Sequence, residues 1–181
     1  MDIQELRRME AQFQEILGRE LKKLARHKTI DVVVGIPFYN EKETLAQVVT
    51  TAVQGLSPFL NVKPFIVCVG DPAGSEALAS LEGLKLEVPH MEFLMPEGVN
   101  GRGFSIRAIL EIARELAADV VLLEADLRRK GDQGFKPSWL ERLYFPLLHD
   151  YDLISGCFRR HYFEDPTGSL FVGPMLETFF G

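Results

Sequence analysis

Two acidic residues, Glu124 and Asp126, stand one residue apart directly after the apolar residues 120–123. A continuous apolar run of this kind predicts a strand that is buried on both faces of a parallel sheet. Because side chains alternate along an extended chain, we expect both carboxylates on the same side where the chain leaves the sheet. Ligands of open α/β sheets bind at this end of the strands, and oxygen ligands suit a divalent cation that carries a diphosphate. The alternative interpretation is a loop with two solvated acids.

A glycine-rich segment, residues 98–105, offers a second kind of chemistry. Gly101 and Gly103 allow the backbone to approach a ligand closely, and the start of the helix predicted next presents N–H groups to a phosphate. Arg102 adds a fixed positive charge between them. The segment lacks the Gly-Lys-Ser/Thr ending of a P-loop, and a plain flexible turn is the alternative.

The composition excludes several classes of protein. The 181 residues suffice for one domain with a core, and 46% hydrophobic with 25% charged residues is typical of a globular protein. A net charge of −6 argues against nucleic-acid binding. No apolar run reaches the about 18 residues of a membrane span, and the first residues do not resemble a signal peptide. Cys68 and Cys157 lie in apolar runs, which predicts buried free thiols and a cytoplasmic location.

Strand-like and helical patterns alternate along the chain. Apolar residues at spacings of three and four predict a leading amphipathic helix over residues 2–26, which packs on its own domain or pairs with a second copy as a homodimer. Strands are predicted at residues 30–37, 65–70, 92–95, 120–123 and 151–158, with helices between them and after residue 174. We expect Pro37 to end the first strand, Asn40 to cap the next helix, and Arg107 to be a surface residue. This order predicts a mostly parallel, Rossmann-like α/β sheet with helices on both faces.

The polar residues at these strand ends resemble the nucleotide-binding half of GT-A glycosyltransferases of the family-2-like group. Four motifs carry the resemblance: Pro37-Phe38-Tyr39-Asn40-Glu41, then Asp71, then Gly101-Arg102-Gly103, then Glu124-Ala125-Asp126. The apolar spacing assigns residues 1–28 to the leading helix, and the resemblance implies a GT-A nucleotide-sugar-binding domain over residues 29–181. It implies that the following residues bind the nucleotide sugar: Pro37, Tyr39, Asn40, Glu41, Asp71, Gly101, Arg102, Gly103, Glu124 and Ala125. It also implies that Asp126 holds Mg²⁺ or Mn²⁺.

Within that group the sequence is similar to glucosyl-3-phosphoglycerate and mannosylglycerate synthases over residues 103–116 and 151–167. This likeness implies transfer of a hexosyl group from a donor such as UDP-glucose or GDP-mannose to a small acceptor, phosphoglycerate or glycerate. The acceptor would contact Arg160, His161 and Thr167, and no protein nucleophile is implied. A structural loop histidine is the alternative interpretation of His161.

Three departures from the family pattern bear on activity. Glu124 stands where the first aspartate of the metal motif is usual, and Pro166 stands where glycine is usual. The chain also ends before the segment that completes the acceptor site and the metal shell, so we expect a chain truncated at its C-terminus. A nucleotide-sugar-binding module without turnover is therefore the alternative function. A dinucleotide enzyme is disfavoured because no Gly-x-Gly-x-x-Gly follows the first strand.

Overall fold

A computed structural model of the chain describes residues 2–24, 29–59, 61–130, 133–149, 151–156 and residue 178. The helices of this part of the chain are α1 Ile3–Lys23, α2 Leu45–Leu56, α3 Ser75–Ala79, α4 Arg102–Leu116 and α5 Ser138–Tyr144, with 3₁₀ turns at Pro72–Gly74 and Phe145–Leu148. The strands are β1 Val32–Phe38, β2 Pro64–Gly70, β3 His90–Leu94, β4 Asp119–Leu122, β5 Arg129–Lys130 and β6 Gln133–Gly134.

The first four strands form one parallel sheet in the order β3-β2-β1-β4. Val32 of β1 pairs with Pro64 of β2 on one side and with Asp119 of β4 on the other. β5 and β6 form a separate short antiparallel pair. The predicted α/β architecture with a parallel sheet is therefore confirmed, and the carboxyl ends of β1, β2 and β4 meet at one edge.

Alternating side chains of the sheet build two apolar layers. Val32, Val34 and Ile36 point into a core formed with α2 and α5. Val33 of the same strand points into a second core formed with α1 and α4. Gly35 lets Ile109 of α4 lie directly on β1, since a Cβ at this position would overlap the Ile109 side chain. Gly35 therefore allows α4 to pack closely on β1.

The leading helix packs on α4 through its apolar face. Phe13 is fully buried there, and its ring centroid lies 5.6 Å from that of Phe104. Arg107 of α4 donates hydrogen bonds of 2.6 and 2.8 Å to the two carboxylate oxygens of Glu10, and its guanidinium lies 4.4 Å from the Phe13 ring centroid. Arg107 is 41% exposed, as expected of a surface residue, and it also bridges two helices, which was not predicted. The exposed side of α1 carries Ile3 and Leu6.

The first strand does not end at Pro37, which is paired with Val69 inside β1. The Leu123 N–H donates to the Gly35 oxygen at 2.9 Å, so the backbone polar groups of Gly35 point toward β4. Those of Pro37, two residues later, point the same way, because the direction alternates along a strand. The pairing with β4 stops at Gly35. Because no bond to β4 is needed at residue 37, a residue without an N–H is tolerated there.

The fourth strand was expected to be buried on both faces, and this is wrong. Within the described residues β4 pairs only with β1, so it lies at the edge of the sheet, and Leu122 is 43% exposed. Val121 and Leu123 are buried in the core formed with α2 and α5. Residues 151–156 form no strand, contrary to the prediction for 151–158.

Several predictions fall outside the residues that the structure describes. These are Cys157, Arg160, His161, Pro166, Thr167 and the helix expected after residue 174, apart from Thr178, which is helical. Cys68 is a buried free cysteine, as predicted, and burial raises the pKa of its thiol. None of the helices in the described part of the chain has the length and apolarity to cross a bilayer.

Candidate functional site

A pocket of about 390 Å³ opens where the carboxyl ends of the strands meet the start of α4. Its lining residues are Pro37, Phe38, Tyr39, Glu41, Asp71, Gly101, Arg102, Glu124, Ala125 and Asp126. Parallel strands bring their carboxyl ends to one edge, and this is why three segments distant in sequence share the pocket.

The pocket gathers most of the residues predicted from the sequence. Asn40 and Gly103 were expected to bind the nucleotide but are absent from the lining. The lining also includes Phe38, which sequence reasoning missed. Its signal was its place between Pro37 and Tyr39, two residues that were both expected in the site.

Asp71 joins the end of β2 to the start of α4. One of its carboxylate oxygens accepts a hydrogen bond from the Gly101 N–H at 2.9 Å. The other accepts from the Ala73 N–H at 3.2 Å, which caps the 3₁₀ turn after β2. The Asp71 carboxylate thus holds the glycine-rich loop against the sheet.

Gly101 sets the entry of the chain into α4. Its φ of 106° lies in the region that favours glycine, and Arg102 is the first residue of the helix. The first N–H groups of a helix carry partial positive charge, which favours an anion at this position. The start of α4 and the Arg102 guanidinium therefore present positive charge to the same pocket.

Arg102 and Glu124 form an ion pair within the pocket. Nη2 of Arg102 contacts Oε1 of Glu124, and the two side chains are 61% and 46% exposed. Glu124 follows β4 after one intervening residue, so both ends of the pair belong to segments that the sheet positions. We call this contact the pocket pair. Its exposure means that solvent screens it and that a ligand can reach either partner.

Hydrogen bonds also order the two loops that carry Glu41 and Asp126. Glu41 accepts from the Tyr39 N–H at 2.6 Å. The buried Thr44 hydroxyl donates to the Ala125 oxygen at 2.7 Å and so ties the start of α2 to the loop after β4. Asn40 does not cap α2, because that helix begins at Leu45 with Thr44 at the N-cap position. The backbone carbonyl oxygen of Asn40 accepts from the Lys42 N–H in a tight turn.

The acidic residues of the pocket differ in their availability to a cation. Asp126 is exposed and has no ion-pair partner among the described residues, whereas Glu124 is engaged by Arg102. The described part of the chain contains no group of three acidic, histidine or cysteine residues placed to hold a metal. Mg²⁺ in phosphate-binding sites commonly takes one or two carboxylates and completes its shell with phosphate and water. The residues present fit that mode of binding, in which the ligand supplies much of the shell.

Comparison with known proteins identifies the fold. No protein-family model and no curated protein sequence matches the chain. A structure of glucosyl-3-phosphoglycerate synthase from Mycobacterium tuberculosis with phosphoglyceric acid matches with a TM-score of 0.55 and 17% identity, over 91% of this chain and 54% of that one. A structure of the same enzyme with Mg²⁺ and uridine diphosphate matches with a TM-score of 0.50 and 20% identity, over 91% and 54%.

A third structure, of a mycobacterial protein, matches with a TM-score of 0.52 and 17% identity, over 88% of this chain and 50% of that one. The chain therefore spans about half the length of the solved structures it matches. At these identities the likeness concerns the fold, and the chain has the α/β arrangement of the GT-A fold.

Proposed function

We propose that the chain is the nucleotide-sugar-binding part of a metal-dependent glycosyltransferase. The enzyme would transfer a hexosyl group from a nucleoside-diphosphate sugar to a small acceptor. The observation that carries this proposal is the convergence of Arg102, the start of α4 and Asp126 on one pocket at the carboxyl edge of a GT-A sheet. The neighbouring structures with uridine diphosphate and Mg²⁺ and with phosphoglyceric acid support the same ligand classes.

Each part of the pocket has a role in this proposal. Arg102 and the first N–H groups of α4 bind the diphosphate, because both present positive charge. Asp126 holds Mg²⁺ or Mn²⁺, and the cation, when bound, stabilises the negative charge of the departing nucleoside diphosphate. Tyr39 and Glu41 line the side of the pocket formed by β1 and contact the nucleoside. Asp71 keeps the glycine-rich loop in place through Gly101.

The finer points of the proposal concern the acceptor and the assembly. Arg160, His161 and Thr167 are proposed to contact phosphoglycerate or glycerate. The nucleotide-sugar-binding domain is proposed to span residues 29–181, after a leading helix over residues 1–28. We also propose a cytoplasmic location and a homodimer formed through the exposed side of α1.

Isothermal titration calorimetry with UDP and GDP tests the central claim. We expect Mn²⁺ or Mg²⁺ to strengthen the binding. In Asp126→Ala the metal-dependent gain in affinity should fall by about tenfold or more, the size of loss found when metal sites are altered. Asp2→Ala is the matched control, because it removes an exposed carboxylate that makes no side-chain bond at the start of α1. An unaltered metal response in Asp126→Ala would refute the assignment of the cation site.

A nucleotide-sugar-binding module without turnover is the second candidate function. The chain spans about half of the matched structures, so binding and turnover by this length of chain are tested separately. An assay for hydrolysis or transfer of UDP-glucose and GDP-mannose separates the two candidates. The transferase is supported if the protein releases the nucleoside diphosphate and Asp126→Ala abolishes that release. The module is supported if the nucleotide sugar binds tightly and no nucleoside diphosphate is released.

A further inference from the structure

We propose that the pocket pair, Arg102 with Glu124, makes the site select a metal-loaded diphosphate over a free diphosphate. This inference rests on the proposed function and deepens it, since it names the form of the ligand that the pocket accepts. Arg102 and Glu124 are its specificity-determining residues.

The geometry places the two partners on segments that the fold holds in position. Arg102 begins α4, and the residue before it is bonded to Asp71 at 2.9 Å. The residue before Glu124, Leu123, is buried, and its N–H bonds to the Gly35 oxygen at 2.9 Å. The two side chains therefore meet across the pocket from two separately anchored backbones.

Each partner is also the group that one ligand requires. A diphosphate is bound by the Arg102 guanidinium, the only arginine or lysine among the described residues that line this pocket. A divalent cation held at Asp126 gains a second carboxylate if Glu124 turns toward it. While Arg102 and Glu124 remain paired, each uses part of its hydrogen-bonding capacity on the other, so a ligand that takes either group in full competes with the pair.

Binding of either ligand alone leaves one charge without its partner. A free diphosphate that takes Arg102 releases the Glu124 carboxylate beside its own negative charge. A lone cation that takes Glu124 leaves the Arg102 guanidinium unpaired beside it. When both ligands bind together, Arg102 passes to the diphosphate and Glu124 passes to the cation, so the pair is broken once and both groups gain a new partner.

Calorimetric titration with UDP, in EDTA and in saturating Mn²⁺, tests this exchange. The informative variant is Glu124→Gln, whose side chain is half-exposed and whose folding is checked by circular dichroism. Asp126→Asn removes the same charge from the same pocket and leaves the pocket pair intact. Glu111→Gln removes a carboxylate that pairs with Arg114 at 2.5 Å on the surface of the same helix.

We expect Glu124→Gln to tighten metal-free binding of UDP by roughly two- to fivefold, the range expected for an exposed ion pair, and to reduce the gain from Mn²⁺. Asp126→Asn should tighten metal-free binding less, and Glu111→Gln should leave both affinities unchanged. The gain from Glu124→Gln should disappear when Arg102→Gln is added. An equal gain in Glu124→Gln and Asp126→Asn, or no gain in Glu124→Gln, would overturn the exchange.

The same titrations distinguish this failure from failure of the proposed function. If the wild-type protein binds UDP neither in EDTA nor in Mn²⁺, both the proposed nucleotide site and the exchange are refuted. If the wild-type protein binds UDP in a metal-dependent way and Glu124→Gln does not alter that binding, the exchange is refuted and the nucleotide site is retained.

Discussion

Two arginines of the same helix form ion pairs with glutamates in different surroundings. Arg107 binds Glu10 through two hydrogen bonds and lies against the Phe13 ring; we call Arg107 and Glu10 the packing pair. Arg102, five residues earlier, contacts Glu124 through Nη2 in the pocket. Both pairs are partly exposed, so exposure does not separate them. What separates them is their contacts: Arg107 bonds both oxygens of Glu10 and lies over the Phe13 ring, whereas Arg102 and Glu124 share one contact and line a cavity.

The hydrogen bonds of the packing pair change the pKa of Glu10. Hydrogen bonds from Arg107, and then from Gln14, lower the pKa of Glu10 to about 2. Both oxygens of this carboxylate are used within the fold, so the packing pair holds α1 on α4. The pocket pair lines a cavity of about 390 Å³. Residues of the same type on one helix thus pack two helices together in one place and line the proposed ligand pocket in the other.

Phe13→Ala should have the largest effect on the packing side. Phe13 is fully buried beneath the packing pair, and its truncation should lower the free energy of unfolding by about 3–5 kcal/mol. Urea denaturation followed by circular dichroism measures this loss. Phe145→Ala is the matched control, because that ring is 54% exposed and its removal should cost only about 1 kcal/mol. Equal losses in the two variants would show that α1 is not part of the core.

Arg102→Gln should have its effect on binding and not on stability. Loss of a charged hydrogen-bond donor to a phosphate should weaken UDP binding in Mn²⁺ by about tenfold. The free energy of unfolding should change by less than about 0.5 kcal/mol, because the ion pair is exposed. Calorimetric titration and urea denaturation of the same preparation give both numbers. A loss of stability without a loss of affinity would place Arg102 in a structural role.

Arg107→Gln should give the opposite result. Removal of the guanidinium ends the two hydrogen bonds to Glu10 and the contact with Phe13, which together should cost about 1 kcal/mol of stability. The affinity for UDP should stay unchanged, since Arg107 does not line the pocket. Arg107→Lys is the control: it keeps the charge without the bidentate geometry, so its loss should be intermediate. Weaker nucleotide binding in Arg107→Gln would contradict the separation of the two pairs.

The sequence predicted the elements that place the pocket better than it predicted the long-range contacts that hold those elements together. The start of α4 after Gly101 and the meeting of Asp71 with that loop follow from local patterns and from the rule that ligands bind at strand ends. The partner of Arg107 was not predictable in this way, because Glu10 lies 97 residues away in sequence. Their contact depends on how α1 crosses α4, which no local pattern specifies.

Two strand predictions failed for the same kind of reason. Pro37 was read as a local stop signal, but its missing N–H faces a side of β1 where the pairing with β4 has already ended. The apolar residues 120–123 predicted burial on both faces, but the burial of a face depends on the helix that lies over it, and Leu122 remains 43% exposed on the face opposite to Val121 and Leu123. Sheet position is a long-range property, so apolarity alone did not fix it.

The pH dependence of the packing pair should be the smallest effect that tests the comparison. Glu10 has its pKa lowered from 4.5 to about 2 in the folded protein. A carboxyl group of this kind stabilises the fold fully above its unfolded pKa, and the stabilisation is lost as the pH falls from 4.5 toward 2. Because both partners are more than a third exposed, we expect the contribution to stay below about 1 kcal/mol.

The measurement is the difference in unfolding free energy between wild type and Glu10→Gln, which should be larger at pH 6 than at pH 3. Glu76→Gln, which breaks a fully exposed pair with Lys42, provides the reference for general charge effects. A difference that does not shrink on acidification would mean that Glu10 holds α1 by packing and not by its charge.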